Sequence, residues 1–350
     1  MPGPRFPATL APLTPAIFGL AGPALTDDER AFFRDADPAG YILFARNVET
    51  RDQLRALTVD LRSIHGRDRL LISIDQEGGR VTRMKPPEWN TFPPGEAFAA
   101  LWDVAPASAI EAARANAEAL GLDLAEVGVT VDYLPLLDVR QPGTHDVIGD
   151  RALGCEPMQV AALGRAVLDG LARAGVTGCV KHMPGHGRAT ADSHKELPTV
   201  AASEAELETD LEPFRTLRDA PIGMTAHVRY TAWDAGNPGT LSPFVIDEII
   251  RNRIGFTGLL LTDDIDMEAL SGTVPERSER AIAAGCDVVL NCWAKMDDMV
   301  GIAERLPEMS ETTTGRLERA LAGTGIPSTA DRAHLIAKRD SLLELAGART

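Results

Sequence analysis

The sequence predicts an α/β chain folded as a single closed (β/α)8 barrel. Short runs rich in Val, Ile and Leu alternate with helical stretches along most of the 350 residues. The runs are apolar on both sides rather than alternating, which suits parallel strands covered on both faces. Eight such runs occur, the number that closes a parallel barrel.

The strand candidates are Ala16–Leu20, Gly40–Phe44, Leu70–Asp75, Val129–Leu137, Gly178–His182, Pro221–His227, Gly258–Asp263 and Cys286–Asn291. Between them, residues 107–123 and 156–174 carry apolar side chains at helical spacing. Gly175 follows the second, as glycine often follows a helix end. Residues 85–106, with Pro86-Pro87 and Pro93-Pro94, are long for a loop, and such loops on barrels are often functional or hold a small extra element. Residues 310–350 read as closing helices. No linker, low-complexity tract or internal repeat divides the sequence, so residues 1–350 are expected to form one domain. An open sheet built for a dinucleotide would carry GxGxxG after an early strand. The nearest match, Gly185-His-Gly187, follows a proline and lacks the third glycine.

Charge narrows the partners. The chain has 35 Lys and Arg against 51 Asp and Glu, a formal net charge of −16. Such a balance argues against a nucleic-acid backbone or an anionic membrane as the main partner. Hydrophobic residues make up 44% and charged residues 25%, proportions that exclude general disorder and a coiled coil. No stretch reaches the ~20 clean apolar residues of a membrane span. Residues 6–25 are apolar but interrupted by Pro7, Pro12, Pro15 and Pro23, and are not expected to be an export signal. Cys155, Cys179, Cys286 and Cys292 form no CxxC pair. They read as four buried thiols in a reducing, cytoplasmic compartment.

Ionisable groups gather at the C-terminal ends of the strands, where barrel enzymes place their chemistry. Strand three ends in Asp75, followed by Gln76-Glu77-Gly78-Gly79-Arg80; strand four leads to Asp138, strand five to Lys181-His182, strand six to His227, strand seven to Asp263-Asp264. A scaffold would gain nothing by burying such groups, because each costs free energy unless paired. Four of the seven histidines, His182, His186, His194 and His227, fall within 46 residues. They allow two mechanisms. Histidines and carboxylates could hold a divalent metal that activates water. Alternatively one histidine moves a proton while a carboxylate attacks carbon. The absence of HxH and HExxH weighs against the metal, and Pro184-Gly185 keeps His182 and His186 from serving as helical i, i+4 ligands. Asp192 lies two residues before His194, so a turn can bring its carboxylate to the imidazole and favour the protonated ring. Asp263 and Asp264 point to opposite faces of a strand, and periodicity does not choose between them.

The segments Ile74-Asp-Gln-Glu-Gly-Gly-Arg-Val-Thr-Arg83, Gly149-Asp-Arg151, Lys181-His-Met-Pro-Gly-His-Gly187 with Asp192-Ser-His194, Met224-Thr-Ala-His227 and Thr262-Asp-Asp-Ile-Asp-Met267 occur in this order. Together they resemble glycoside hydrolase family 3, and more narrowly its single-domain bacterial β-N-acetylhexosaminidases. The resemblance spans about Gly40 to Asn291. It implies a TIM-type barrel and a retaining double displacement through a covalent glycosyl-enzyme, with no metal and no cofactor. By motif, Asp263 would be the nucleophile and His194 the general acid/base, with Asp192 as its partner. Asp75, Arg83, Arg151, Lys181 and His182 match the positions that hold a terminal GlcNAc. The implied substrate is a small carbohydrate or muropeptide, GlcNAc β-1,4-linked to anhydro-muramic acid in cell-wall recycling. Larger relatives carry a second α/β domain, for which this chain is too short. Met183 stands where the family usually has Phe.

Two other readings stay open at this stage. One is a β-GlcNAc phosphorylase, since a histidine acid/base repels phosphate less than a carboxylate does. The other is a metal-dependent barrel hydrolase using His182, His186, His194 and Asp263. His65, His145 and His334 are expected on the surface or in helices. Trp89, Trp102, Trp233 and Trp293 could stack on a sugar ring, although core or rim packing is the commoner fate, and for Asp132 and Asp138 a structural hydrogen bond competes with substrate contact.

Overall fold

The computed structural model describes residues 13–141, 146–193, 195–326 and 328–347. Ten strands appear among them: β1 (Thr14–Gly19), β2 (Pro38–Leu43), β3 (Leu71–Ile74), β4 (Val131–Asp132), β5 (Thr177–Met183), β6 (Thr199–Val200), β7 (Ile222–Thr225), β8 (Arg229–Tyr230), β9 (Leu259–Asp264) and β10 (Val288–Asn291). Eight close a barrel in the order β1-β10-β9-β7-β5-β4-β3-β2, with every pairing parallel. The expected (β/α)8 barrel is therefore present, and all eight anticipated strands lie in it. The short pair β6–β8 stands outside the barrel.

Helices return the chain between strands: α1 (Asp27–Ala36), α2 (Arg51–His65), α3 (Gly95–Val104), α4 (Pro106–Glu126), α5 (Pro157–Arg173), α6 (Glu204–Thr216) and α7 (Val274–Ala284), and α8 (Met296–Arg305) follows the last strand. Residues Val245–Ile254 make a π-helix between β8 and β9. Capping boxes start three of the helices: Thr26 with Glu29, Ser203 with Glu206, and Thr273 with Glu276. The predicted helices at 107–123 and 156–174 correspond to α4 and α5, and the extra element in 85–106 is α3. Gly175 has φ 75°, and a Cβ there would crowd the Ile326 backbone. Only glycine meets both conditions comfortably.

The closing helices are α9 (Glu311–Leu321) and α10 (Arg332–Gly347). Leu317, Ala320 and Leu321 of α9 join the apolar filling of the barrel, and the Thr177 hydroxyl donates to the Ala320 carbonyl (2.7 Å). Thr177 begins β5, so α9 plugs the N-terminal end and leaves the opposite mouth open. α10 is held to α4 by Arg339, which donates to Asn116 Oδ1 (3.1 Å), and by Lys338, which pairs with Glu111 (2.5 Å).

Strand register decides which side chains reach that mouth. Leu71, Val131, Cys179, Ile222, Leu259, Leu261, Val288 and Leu290 belong to the interior cluster, while Ile72, Val180, Leu260 and Val289 pack outward beneath the helices. Side chains two residues apart share a face. Continuing the inward series gives Asp75 after β3, Tyr133 after β4, Lys181 on β5, Asp263 on β9 and Cys292 after β10. The fourth strand is shorter than its apolar run, because Pro135 has no N–H to donate to a ladder. The chain still runs beside β5 there, with the Cys179 and Lys181 N–H groups donating to the carbonyls of Leu134 and Pro135.

Candidate active site

A cavity of about 250 Å³ opens at the C-terminal mouth of the barrel. Asp75, Arg83, Arg151, Lys181, His182 and Asp263 all line it, so six residues drawn from four distant sequence segments meet in one place. In the barrel order β3 lies four strands from β9. Asp75 and Asp263 therefore stand on opposite walls.

The wall around Asp75 is a line of alternating charges. Arg83 Nη2 lies 3.3 Å from Asp75 Oδ2, and Lys181 Nζ lies 3.1 Å from Asp75 Oδ1. Lys181 Nζ also lies 2.7 Å from Glu77 Oε1, and Arg151 grips both Glu77 oxygens at 2.7 Å through Nε and Nη2. Such a forked pair fixes orientation as well as charge. Burial works against the Glu77 charge, but Arg151 and Lys181 outweigh it and hold the carboxyl well below the ordinary range. Burial likewise disfavours the Lys181 cation, and Glu77 then Asp75 more than restore it. Arg83 lies over the Phe44 ring at 5.1 Å, and its buried Nε has no partner among the described residues.

His182 is oriented by Asp138, whose Oδ2 lies 2.8 Å from the imidazole Nδ1. Asp138 Oδ1 also accepts the backbone N–H groups of His182 (3.2 Å) and His186 (2.6 Å). Burial opposes the Asp138 charge, yet His182 outweighs it and the carboxyl stays below its usual value. Asp138 thus has a structural role, and it acts directly on a cavity residue. Its side chain also anchors the segment leaving β5. Gly187 lies so close to the chain after β4 that a Cβ would come 2.0 Å from the Val139 carbonyl oxygen. Tyr230 donates to the Gly185 carbonyl (2.9 Å), and Arg188 pairs with Asp210 at 2.5 Å. The start of the loop leaving β5 is thus tied down through residue 188.

His186 sits inside that anchored segment, with Nε2 3.2 Å from Ser193 Oγ. Burial, then neighbouring His182, pushes its imidazole down to about 4. The unfolded chain, at about 6.5 for histidine, therefore binds more protons between these values. The His186 contribution to stability is complete above pH ~6.5 and is lost as pH falls to ~4, about 3 kcal/mol in all. Asp210, raised by burial to about 6, acts in the opposite sense, so the His186 share is read by comparing His186→Gln with wild type. Urea titrations at pH 7 and 4.5 should show a flatter pH dependence in the variant. An unchanged slope would contradict a neutral buried His186.

The structure separates the two aspartates of β9. Asp263 continues the inward series after Leu259 and Leu261, and its Oδ1 accepts the Asp264 N–H (2.8 Å). Asp264 Oδ1 accepts the N–H groups of Asp266 and Cys292, both at 3.2 Å, and so ties β9 to the end of β10. Burial first, then Asp266 and Asp263, raises the Asp264 pKa. His227 adds a further strut: its Nε2 lies 2.9 Å from the Asp264 carbonyl oxygen and its Nδ1 2.7 Å from Thr240 Oγ1. A carbonyl only accepts, which puts the proton on Nε2. Burial also lowers the pKa of this ring and favours its neutral form.

Asp192 lies half-buried beside Ser193 and does not line the cavity; its Oδ2 is 3.8 Å from Lys195 Nζ. His194 and His145 fall outside the described residues. Met183 is fully buried in the barrel wall and would collide with any side chain at position 223. The departure from Phe is thus a packing change away from the cavity. Two expectations need correction. Cys155 is exposed, whereas the other three cysteines are buried. Trp293 is neither core nor packed rim but 62% exposed. His65 lies in a helix, at the end of α2, with its side chain buried 2.7 Å from Asp37 and 2.6 Å from the Tyr41 hydroxyl. Sequence reasoning also gave no role to Glu77, although it lies within a quoted motif and carries two of the site's cations.

A parallel barrel whose open mouth sets the Asp263 carboxylate across from a charged, hydrogen-bonding wall has the form of a glycoside hydrolase. The chain matches the glycosyl hydrolase family 3 N-terminal domain over residues 16–322, and it belongs to that family. It is 38% identical to a β-hexosaminidase of Aromatoleum aromaticum across 89% of this chain and 88% of the relative. A Bordetella pertussis β-hexosaminidase is 40% identical over 82% of each. Among solved structures, NagZ from Neisseria gonorrhoeae in complex with N-trifluoroacetyl-D-glucosamine superposes with a TM-score of 0.84 at 30% identity, over 96% of this chain and 98% of the other.

Proposed function

We propose that this glycoside hydrolase is a β-N-acetylhexosaminidase that removes a terminal β-linked GlcNAc with retention of configuration. The observation that carries the reading is Asp263, facing the Arg83–Asp75–Lys181–Glu77–Arg151 line across a cavity of about 250 Å³. The binding of N-trifluoroacetyl-D-glucosamine by the Neisseria relative supports the same glycone. In this scheme Asp263 attacks the anomeric carbon as the glycosidic oxygen takes a proton from His194, oriented by Asp192. Water then enters, gives its proton back to His194 and displaces Asp263. Asp75 takes sugar hydroxyls, Arg83 offers its unpartnered N–H, and His182, held by Asp138, completes the grip.

The substrate we favour is GlcNAc joined to an anhydro-muramic acid, with or without peptide, released during cell-wall recycling in the cytoplasm. Four free thiols suit that compartment. Among the described residues no helix is long and apolar enough to cross a membrane. We further propose that the chain works as one domain.

The test is the dependence on leaving group. His194→Ala should lose roughly 10²-fold or more in kcat/KM on a GlcNAc disaccharide, the range of general acid catalysis. It should lose far less on a nitrophenyl β-GlcNAc glycoside, whose phenolate leaves unaided. Equal losses on both would remove His194 as the acid.

A further inference from the structure

Beyond the glycone cavity, the structure carries a feature that neither the charged wall nor the two β9 aspartates use. Trp293 stands directly after β10 at the edge of the cavity and is 62% exposed. An indole left in water forfeits a large burial gain, and one that lines a pocket rim offers its face to whatever the pocket binds. Its backbone is held from three sides. The Cys292 N–H donates to Asp264 Oδ1 (3.2 Å), the Cys292 carbonyl accepts from Arg46 Nη2, and Ala294 adopts φ 55°. A left-handed alanine is uncommon and persists where its surroundings impose it. The carbonyl of Cys292 is also approached so closely by β1 that a Cβ on Gly19 would lie 2.3 Å from it. The ring is thus presented on a rigid support, on the same strand end that Asp264 fastens to Asp263.

We infer that Trp293 is a specificity-determining residue that stacks against the second, leaving sugar of the substrate. This rests on the glycosidase reading above. A pyranose has a face of C–H groups that packs on an aromatic ring, while its hydroxyls stay in water. A fixed platform loses little freedom on binding. Phe44, the other aromatic ring at the cavity besides Tyr133, already lies under Arg46 and Arg83 at 4.9 and 5.1 Å. Trp293 is therefore the aromatic surface presented to the aglycone.

Trp293→Ala should raise KM for N,N′-diacetylchitobiose and lower kcat/KM about threefold to tenfold, the fold-change an aromatic stack supplies. Inhibition by free GlcNAc, which fills only the inner cavity, should stay within about twofold, and Trp293→Phe should recover most of the loss. Titrating Asp263→Asn protein with the disaccharide should shift tryptophan emission, and the shift should vanish in the Asp263→Asn/Trp293→Phe double variant. Equal weakening of GlcNAc and disaccharide, or no change in either, would overturn the platform while leaving the glycosidase reading intact. A wild-type enzyme that cannot cleave any GlcNAc disaccharide would instead overturn the parent reading, and this one with it.

Discussion

Replacing Asp263 by alanine is expected to lower kcat by more than about 10³-fold on every β-GlcNAc substrate, while free GlcNAc still binds within a few-fold of wild type. The asymmetry follows from geometry. Asp263 is on β9, whereas the ion-paired wall is built from residues around β3, β5 and the segment before α5. Removing one wall's carboxylate leaves the opposite wall paired as before. The space vacated also faces the anomeric carbon, so azide should enter it, restore part of the turnover on a nitrophenyl glycoside and yield the α-glycosyl azide. Near-normal turnover in the variant would exclude Asp263 as nucleophile. Turnover carried instead by Asp264 is not expected, because Asp264 Oδ1 already accepts two backbone N–H groups.

Glu77→Ala should be the most damaging substitution for the fold. It strips the forked counter-charge from Arg151 and one of two counter-charges from Lys181, which is only 2% exposed and keeps Asp75 at 3.1 Å. Breaking a buried pair by removing one partner costs about 3–5 kcal/mol. Urea titration at pH 7 should show a large drop in stability, and GlcNAc affinity should fall because Arg151 loses the carboxylate that fixes it at the cavity. Glu77→Gln keeps the shape and should lose less. The pH sign is definite: the folded Glu77 carboxyl lies below its unfolded value of about 4.5. Its contribution is complete above pH ~4.5 and declines as pH falls further. The wild type should therefore lose stability below that pH more steeply than Glu77→Gln. Equal stability of Glu77→Ala and wild type would mean that the two cations find other partners.

Much of the fold was legible because each barrel strand is a local apolar run bounded by helices, and the count of runs carries the topology. The same property hid the orientation of Asp263 and Asp264. Both faces of β9 are apolar, so only the observed register, with Leu259 and Leu261 inward and Leu260 outward, separates the two. The candidate site was legible as a set of strand ends. Its wiring was not, because Glu77 and Arg151 lie 74 positions apart and no periodicity links them. Asp138 was visible as an ionisable residue after the fourth strand, but its bond to His182 depends on β4 and β5 being neighbours. Trp293 was undecidable from sequence, since a tryptophan after a strand reads the same whether it packs inward or stands in water. His65 lies in a helix as expected, but its burial was not legible: a polar residue in the last turn of α2 ordinarily faces solvent, and here Tyr41 and Asp37 enclose it.

The most direct test of the central claim is proton NMR of the pure enzyme acting on a chromogenic β-GlcNAc glycoside, with chelator present and phosphate absent. The account predicts that β-GlcNAc appears first and converts to the α-anomer only by mutarotation, as a double displacement through Asp263 requires. Early α-GlcNAc would mean a single displacement and would contradict the nucleophilic role of Asp263. A reaction that waits for added phosphate, or for restored metal, would contradict hydrolysis by these side chains alone.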